Sequence, residues 1–347
     1  MSRIAIVGAG AAAAAAAFVV DGALPDADVT VFEKSGGLCG RAATRRHEDL
    51  TYDYGANYVK DANERVNGLL SEDLDTEGRF DIAEPIYTFD AEGEVSPGRD
   101  PEEAKWSYEQ GLTQIAKRLF DRTAAEIHRR TRIEGLARDA ESATWTLSDT
   151  DGEVWGPFDA VLLNPPAPQT ADLLRDADWD DPARHALVDA LDDVEFRTVW
   201  TAVLHYPFDL DVPYYGLVNT DKEHAVGWIS REECKPGHVP DGESLLVVQA
   251  GHAWSVEHYD DDPAANVAAL AAHAADIVGD ERLADPDWSD HQGWRYALTA
   301  GVVAADPVDS VQDAGLYCLG DWVAGEPRVH AALANGLETG AELVSGL

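Results

Sequence analysis

Short apolar runs recur in the first half of the chain, and their composition indicates which elements they form. Arg3–Val7 (RIAIV) and Ala160–Leu163 are apolar almost throughout, which is typical of strands buried on both faces of a parallel sheet. Residues 28–32 (DVTVF) have a similar character and follow an alanine-rich stretch that begins at Ala11. Because alanine has the highest helix propensity, that stretch predicts a helix. The chain is therefore expected to open with a strand–helix–strand unit.

The second half of the chain has a different pattern. Residues 199–205, residues 225–229 and Ser244–Ala250 predict strands of an antiparallel sheet, and Pro263–Val278 predicts an amphipathic, alanine-rich helix. The fold class is therefore expected to be α/β, with a smaller α+β second domain built on an antiparallel sheet and helices.

The charge balance indicates the surroundings in which the chain works. It has 65 Asp and Glu residues against 26 Lys and Arg, a formal net charge of −39 and a pI near 4.3. Such a chain repels itself at low ionic strength, whereas at about 1 M salt the Debye length is only ~3 Å. The composition favours a halophilic protein of a salt-rich cytosol, such as that of haloarchaea. It argues against partners that are nucleic acids or anionic membranes.

The cysteines and the apolar runs bear on the compartment. Cys39, Cys234 and Cys318 are isolated, without a CxxC pair or the spacing of a zinc site. They predict a reducing, cytoplasmic environment and no metal. The apolar residues 9–20 are too few to span a bilayer, which takes about 20 residues. The sequence leaves the oligomeric state open.

The turn after the first strand carries a nucleotide-binding fingerprint. Gly8 permits a sharp turn, and Gly10 lets the backbone approach a pyrophosphate at the helix N-terminus. Ala13 stands in for the third glycine, and Glu33 ends the second strand, where a carboxylate accepts hydrogen bonds from an adenosine ribose. Without the flanking strands and Glu33, the glycines would be explained by a helix that only packs closely against its neighbours. With them, the pattern predicts a Rossmann-type dinucleotide site but leaves FAD and NAD open.

Residues further along the chain favour FAD. A glycine-rich loop leads to Arg41, which suits a bridging pyrophosphate. The Gly55–Ala56 pair lets backbone come near a flat ring. Residues 315–320 (GLYCLG) predict a strand that delivers Asp321, and a final helix over 331–343 would direct its N-terminus at the flavin pyrimidine.

Stretches over nearly the whole chain carry a family resemblance. Three are terminal: the dinucleotide turn, the EK…GR…T loop after the second strand, and the GD…G…V segment before the last helix. The internal ones are residues 52–58 (YDYGANY), 106–119, 164–169 (NPPAPQ), 227–231 (GWISR) with 235–237 (KPG), 252–255 (HAWS) and 294–297 (WRYA). In these motifs the chain resembles the flavin amine-oxidase superfamily, and within it renalase and its microbial relatives.

The resemblance, together with the fingerprint, implies non-covalent FAD and a set of residues around it. The expected cofactor-binding residues are Gly8, Gly10, Ala11, Ala12, Glu33, Lys34, Gly40, Arg41, Tyr54, Gly55, Ala56, Asn57, Ile133, Asn164, Gly320, Asp321, Arg328, Val329 and Ala332. The residues expected on the substrate side of the flavin are Asn57, Tyr58, Trp106, Trp228, Arg231, His252, Trp294 and Tyr296. Aromatic walls suit a flat nicotinamide, and Arg231 suits a phosphate or carboxylate.

The chain departs from the family pattern near the cofactor. Cys39 stands where the family has a glycine, so the loop beside the pyrophosphate is expected to shift. His330 stands where an acidic residue is expected, which puts a copied substrate preference in doubt.

The expected domain division is discontinuous. Residues 1–85, 125–170 and 295–347 form the FAD-binding domain, and residues 86–124 and 171–294 form the substrate domain.

The activity implied by the resemblance is oxidation of a dihydronicotinamide isomer of NAD(P)H by hydride transfer to flavin, with oxygen as acceptor. An amine oxidase or a desaturase of the same superfamily is the alternative. An amine oxidase would place an aromatic pair opposite the flavin, and a desaturase needs a long apolar tunnel. A non-catalytic redox sensor and an NAD-dependent dehydrogenase without flavin also stay open.

Overall fold

The computed structural model describes residues 2–98 and 104–347, so residues 99–103 of the predicted substrate domain lie outside the described part. The strands in the described residues are β1 (Arg3–Val7), β2 (Asp28–Glu33), β3 (Thr44–His47), β4 (Leu50–Asp53), β5 (Val59–Lys60), β6 (Arg79–Asp81), β7 (Ile86–Phe89), β8 (Val95–Ser96), β9 (Lys105–Tyr108), β10 (Glu126–Arg129), β11 (Ile133–Asp139), β12 (Thr144–Asp149), β13 (Val154–Phe158), β14 (Ala160–Leu163), β15 (Phe196–Tyr206), β16 (Gly216–Asn219), β17 (Val226–Arg231), β18 (Ser244–Ala250), β19 (Trp288–Thr299) and β20 (Leu316–Cys318).

The helices in the described residues are α1 (Ala11–Ala23), α2 (Glu64–Gly68), α3 (Thr113–Phe120), α4 (Ala167–Arg175), α5 (Pro182–Asp192), α6 (His252–Glu257), α7 (Pro263–Val278), α8 (Ala305–Ser310), α9 (Asp321–Ala324) and α10 (Val329–Gly346). Leu69–Asp73 adds a π-helical turn, and short 3-10 turns lie at Gly40–Ala42, Glu232–Cys234, Glu281–Ala284 and Gln312–Ala314.

A five-stranded parallel sheet with the order β10-β2-β1-β14-β20 forms the first domain. The two central strands, β1 and β14, are almost fully buried, as their apolar composition predicts. The chain thus winds outward from β1 through β2 to β10, and then returns to the other side of β1. This is the doubly wound arrangement in which ligands bind beyond the carboxyl ends of the strands. The predicted Rossmann-type fold class is confirmed.

The alanine run of α1 is explained by its position. Residues Ala11–Ala17 are all buried, because the helix lies between the parallel sheet and the helices α3 and α10. α10 approaches α1 at two glycines, and a Cβ on Gly336 would lie 2.1 Å from the carbonyl oxygen of Ala12. Only small side chains permit this approach, so the composition serves close packing as well as helix formation.

A seven-stranded sheet with the order β19-β15-β18-β17-β16-β7-β8 forms the second domain. Its strands β15 to β19 pair antiparallel. α7 packs on the outer face of this sheet, and the two form a hydrophobic core separate from that of the first domain. The opposite face is directed at the first domain. The two domains meet through a small aromatic cluster that includes Tyr52, Tyr54 and Trp294.

The packing differs from the predicted domain division in three places. Residues 295–299, predicted for the FAD-binding domain, end β19 and lie in the seven-stranded sheet. β9 pairs with β5 and β6, and α3 packs on α1, so this part of the predicted 86–124 segment belongs with the first domain. Likewise α4, which runs past residue 170, and α5 share a core with β1 and β14. The reason for these last two differences is the doubly wound sheet, because both of its apolar faces need a helical or sheet cover.

Candidate functional site

The turn between β1 and α1 is built as the fingerprint predicts. Gly8 adopts a φ of +93°, in the region that favours glycine, and its N–H donates to the carbonyl of Phe32 at 2.7 Å. The Gly10 N–H donates to Oδ1 of Asn164 at 3.1 Å, and a Cβ on Gly10 would lie 2.4 Å from that oxygen. Asn164 also donates from its amide nitrogen to the Leu319 carbonyl, so it joins the turn to the end of β20.

Cys39 fits the loop that crosses this turn. It adopts a φ of +77°, where the family has glycine, and its N–H donates to the Ala9 carbonyl at 2.8 Å. Its thiol is buried beside the Leu112 carbonyl, and burial raises the pKa of the thiol to about 12. The loop therefore stays close against the α1 turn, and Cys39 is an inert, protonated side chain at neutral pH.

Glu33 is buried at the end of β2, beside the same turn. One carboxylate oxygen accepts from the Ala9 N–H at 2.9 Å and the other from the Ser35 N–H at 2.7 Å. Each oxygen keeps a further lone pair, so the carboxylate remains able to accept ribose hydroxyls.

Arg41 and Asp321 form a bidentate ion pair across the cavity, with Arg41 Nη1 2.9 Å from Asp321 Oδ2. Arg41 also donates to the Ala297 carbonyl at 3.0 Å. The sequence predicted a pyrophosphate contact for Arg41 and placed Asp321 separately, at the end of a strand. The structure joins the two side chains in one ion pair.

All of the predicted cofactor residues line one cavity of about 2010 Å³. This volume is about twice the ~1,000 Å³ that bounds ordinary small-molecule pockets. The cavity is therefore large enough for a dinucleotide and a second ligand. Of the predicted substrate-side residues, Asn57, Tyr58, Trp228, His252, Trp294 and Tyr296 line the same cavity.

Two predicted substrate-side residues do not line the cavity. Arg231 is buried on the other side of its strand, where its guanidinium donates to the carbonyls of residues 210, 212 and 214 and to Glu233. These bonds occupy most of the N–H donors of the guanidinium. The predicted contact of Arg231 with a phosphate is therefore wrong, and the residue has a structural role. Trp106 packs against the first core and under the Arg79 guanidinium, at 5.0 Å.

Aromatic side chains form the wall contributed by the second domain. Trp294 stacks on Tyr54 with ring centroids 5.2 Å apart and donates from Nε1 to the Tyr54 carbonyl at 3.3 Å. Trp228 lies against Tyr58, and its indole nitrogen is buried without a partner among the described residues. Gln249, which sequence reasoning missed, donates to the Gly55 carbonyl at 2.6 Å. Side chains alternate between the two faces of β18, and this alternation could have indicated that Gln249 faces the cavity.

His252 is fixed by one hydrogen bond. Its Nδ1 accepts from the Thr198 N–H at 2.9 Å. Nδ1 therefore carries no proton, and the ring proton sits on Nε2. In this state His252 is a hydrogen-bond donor at Nε2.

His330 lies in the first turn of α10 and is buried in the lining of the cavity. Its Nε2 lies 3.4 Å from Glu326, and its Nδ1 has no partner among the described residues. This nitrogen is closed off from the cavity as well as from solvent, so a ligand in the cavity does not reach it. The fit of the residues to a dinucleotide therefore rests on the glycine turn and on the free lone pairs of Glu33.

A buried charged cluster, made of Asp53, Glu232, Lys235 and His238, supports the loop that carries Tyr54 to Asn57. Lys235 Nζ lies 2.9 Å from Asp53 and 2.8 Å from Glu232. His238 contacts Glu232 through Nδ1 and the Tyr108 carbonyl through Nε2, so both of its ring nitrogens face oxygen atoms.

The ammonium is the central cation of this charged cluster. Burial alone would raise the pKa of Asp53, but Lys235 and His238 outweigh it and hold that pKa below its ordinary value. Burial opposes the charge of Lys235, yet Asp53 and Glu232 raise its pKa. Asp53, Glu232 and His238 lie close enough to bind a metal ion, but Lys235 occupies the space between the carboxylates.

Charge is distributed unevenly between the cavity and the rest of the chain. Among the described residues, twelve Lys and Arg but only five Asp and Glu line the cavity. The whole chain has 26 Lys and Arg and 65 Asp and Glu. The cations are Lys34, Arg41, Arg45, Arg46, Lys60, Lys117, Arg129, Arg132, Arg197, Lys222, Arg295 and Arg328. The acids are Glu33, Glu134, Asp172, Asp176 and Asp321, all on the side of the first domain. The site is thus a cationic cavity in an anionic protein.

Comparison with known proteins places this cavity in a family. The family of NAD(P)-binding Rossmann-like domains matches residues 6–72, and the family of flavin containing amine oxidoreductases matches residues 99–344. The second match covers most of the chain, so the chain belongs to the flavin containing amine oxidoreductases. The prediction of a flavin-dependent oxidoreductase enzyme is confirmed, and the superfamily resemblance with it.

Solved structures share the fold over the full length of the chain. A protein designated a protoporphyrinogen oxidase, from Exiguobacterium sp. 255-15, has a TM-score of 0.81 at 16% identity, covering 100% of this chain and 99% of that one. Putrescine oxidase bound to putrescine has a TM-score of 0.76 at 12% identity, and cyclohexylamine oxidase from Brevibacterium oxydans 0.75 at 12%, each covering 99% of both chains. These identities are low, so the likeness concerns the fold.

Proposed function

We propose that the protein binds FAD non-covalently and oxidises a dihydronicotinamide isomer of NAD(P)H, as a renalase-like oxidase with oxygen as acceptor. When bound, FAD supplies the two-electron acceptor. The residues of this chain then have to hold the dinucleotide, orient the donor ring and exclude water. We assign the first task to the α1 turn, Glu33, the Arg41–Asp321 pair and the start of α10.

The charge of the cavity is the observation that carries this proposal. A nicotinamide nucleotide is an anion, and a chain of net charge −39 repels it everywhere except where cations are gathered. The seven-stranded sheet and its loops contribute Arg197, Lys222 and Arg295 to the cavity lining and, within the described residues, no Asp or Glu. An anionic substrate is attracted by this wall, whereas an ammonium group is repelled.

The aromatic wall supports the same substrate. A nicotinamide ring is flat, and it stacks favourably on offset aromatic rings. We assign this contact to Trp294 and Trp228, with Asn57 and Tyr58 beside them. The Tyr54–Trp294 stack is held from behind by the Arg45 guanidinium, 4.1 Å from the Tyr54 ring, so this wall is preorganised.

An anaerobic screen tests the proposal. Flavin-loaded protein in concentrated salt is mixed with dihydronicotinamide isomers of NAD(P)H, with ordinary NADH and with amines such as putrescine, and flavin absorbance is followed. We expect the isomers to bleach the flavin, and air to restore its colour with formation of hydrogen peroxide. Bleaching by amines but not by the isomers would refute the proposal. Protein that binds no flavin would refute the cofactor assignment.

Amine oxidation is the second candidate function. It is favoured by the Tyr54–Trp294 pair, because an aromatic pair near the flavin is what the amine-oxidase alternative predicts. The cations of the cavity oppose it for a protonated amine. The amine arm of the same screen decides between the two functions.

We also propose that the enzyme works in a salt-rich cytosol. The excess of acidic residues supports this, because salt relieves their mutual repulsion. None of the described helices is long and apolar enough to cross a membrane. Activity that rises from dilute buffer to about 1 M salt is the expected result, since the Debye length shrinks to ~3 Å there.

A further inference from the structure

Arg197 is directed into the cavity by the register of its strand. In β15, Arg197 and Val199 lie two positions apart, and the irregularity in the pairing between them is taken up by two extra residues of β19. Their side chains therefore point to the same face of the sheet. Val199 is paired with Trp294 and Arg197 with Leu298 on β19, and all four residues line the cavity. Arg197 thus lies on the wall that carries the stacked Trp294.

Arg197 is half-buried, and its guanidinium has no partner in the described part of the chain. It makes no hydrogen bond or ion pair with the residues that the structure describes, 2–98 and 104–347. Its neighbour Arg295 is different, because that guanidinium lies 4.1 Å from the Tyr259 ring and 3.7 Å from Asp260. A half-buried arginine without a carboxylate, in a chain with 65 acids, is available for an anionic ligand.

A second donor lies beside Arg197. The strand register shifts between Arg197 and Val199, which frees the Thr198 N–H from the β19 ladder. That N–H donates to Nδ1 of His252 at 2.9 Å, which leaves the ring proton on Nε2. His252 also lines the cavity. Arg197 and His252 therefore line the same cavity, and His252 is bonded to the residue next to Arg197 along β15. Neither the guanidinium nor the Nε2–H of this tautomer can accept a hydrogen bond.

We propose that Arg197 and His252 form a phosphate-binding corner, which takes the 5′-phosphate of the nicotinamide nucleotide. The inference rests on the proposed function and names the group by which the substrate is held. Phosphate oxygens are acceptors only, and the planar fork of arginine matches them in a bidentate contact. The corner replaces Arg231 as the anion contact of the substrate side.

The experiment compares two ligands that differ only in the phosphate. Flavin-loaded enzyme is titrated with oxidised nicotinamide mononucleotide and with nicotinamide riboside, at one fixed salt concentration, and Kd is read from the change in flavin absorbance. Arg197→Gln should weaken mononucleotide binding by ~10- to 100-fold, because a charge-assisted contact is lost. Riboside binding should stay within about twofold, since only the phosphate contact is removed. Arg175→Gln, an exposed arginine outside the cavity lining, is the matched control.

If Arg197→Gln weakened the binding of both ligands equally, or of neither, the proposed phosphate-binding corner would be wrong. Arg197→Lys keeps the charge but loses the fork, so it should lie between the wild type and Arg197→Gln, and it serves if the glutamine variant does not fold. His252→Gln should also weaken the mononucleotide more than the riboside.

The dihydronicotinamide screen separates the two proposals. If the isomers fail to bleach the flavin while Arg197 still sets the phosphate preference, the proposed function fails and the corner stands. If the isomers bleach the flavin and the preference is unchanged in Arg197→Gln, the corner fails alone.

Discussion

Replacing Lys235 by methionine should destabilise the protein strongly through the buried charged cluster. The substitution keeps most of the side-chain volume, so little of its effect comes from packing. It removes the ammonium group, which lies 2.9 Å from a carboxylate oxygen of Asp53 and 2.8 Å from one of Glu232. The side chains of Asp53, Glu232 and Lys235 are all completely buried. The two carboxylates then lose the ammonium that lies between them, and of the charged cluster only His238 remains, in contact with Glu232. Removing one partner of a buried ion pair costs about 3–5 kcal/mol, and we expect a loss in that range.

The assay is unfolding in urea at constant salt, followed by tryptophan fluorescence and by circular dichroism. Urea is uncharged and leaves the electrostatics intact, whereas guanidinium would screen them. Arg175→Gln is the control, because that exposed arginine also pairs with two carboxylates, Asp172 and Asp192. Surface pairs of this kind contribute at most about 1 kcal/mol. If Lys235→Met costs no more than Arg175→Gln, the assigned role of the charged cluster is wrong.

The pH dependence gives a second check on the charged cluster. The depressed pKa of Asp53 contributes stability above its unfolded value, which is lost as pH falls through the folded pKa. The raised pKa of Lys235 contributes stability below its unfolded value, which is lost as pH rises through the folded pKa. The contribution of Asp53 and Lys235 to wild-type stability should therefore be level from about pH 5 to about pH 9. In Lys235→Met an unpaired carboxylate can take up a proton, so its deficit should shrink between pH 8 and pH 5.

Three further predictions concern the cofactor and the substrate wall. Glu33→Arg should release FAD, because the carboxylate that accepts from the Ala9 N–H is replaced by a cation, and unchanged flavin content after gel filtration would contradict that placement. Gly10→Val should also abolish flavin retention, since a Cβ there lies 2.4 Å from the Asn164 oxygen, while circular dichroism should stay close to the wild type. Arg231→Gln should lower the unfolding midpoint and leave the Kd of nicotinamide mononucleotide unchanged, and weaker binding would restore Arg231 to the substrate side.

The local sequence determined the elements of the first domain and the position of its nucleotide site. Arg3–Val7 and Ala160–Leu163 are strands with the predicted bounds, and Gly8 and Gly10 form the turn that their residue types require. These features are readable because a buried parallel strand and a tight glycine turn depend on neighbouring residues. The predicted cofactor residues also line one cavity, because parallel pairing brings the ends of β1, β2, β14 and β20, and the motifs that follow them, to one edge of the sheet.

The tertiary structure decided which side chains of the second domain face the cavity. Arg231 and Arg197 are both arginines on apolar strands, and nothing in their neighbours tells which one faces a ligand. The side chains of a strand alternate between its two faces, so a single register decides the choice, and that register is fixed by distant strands. The same holds for the pairing of Arg41 with Asp321 and of Lys235 with Asp53, which lie far apart in the chain. Partners that lie far apart in the chain leave no periodic trace in the sequence, so only the tertiary packing could assign them.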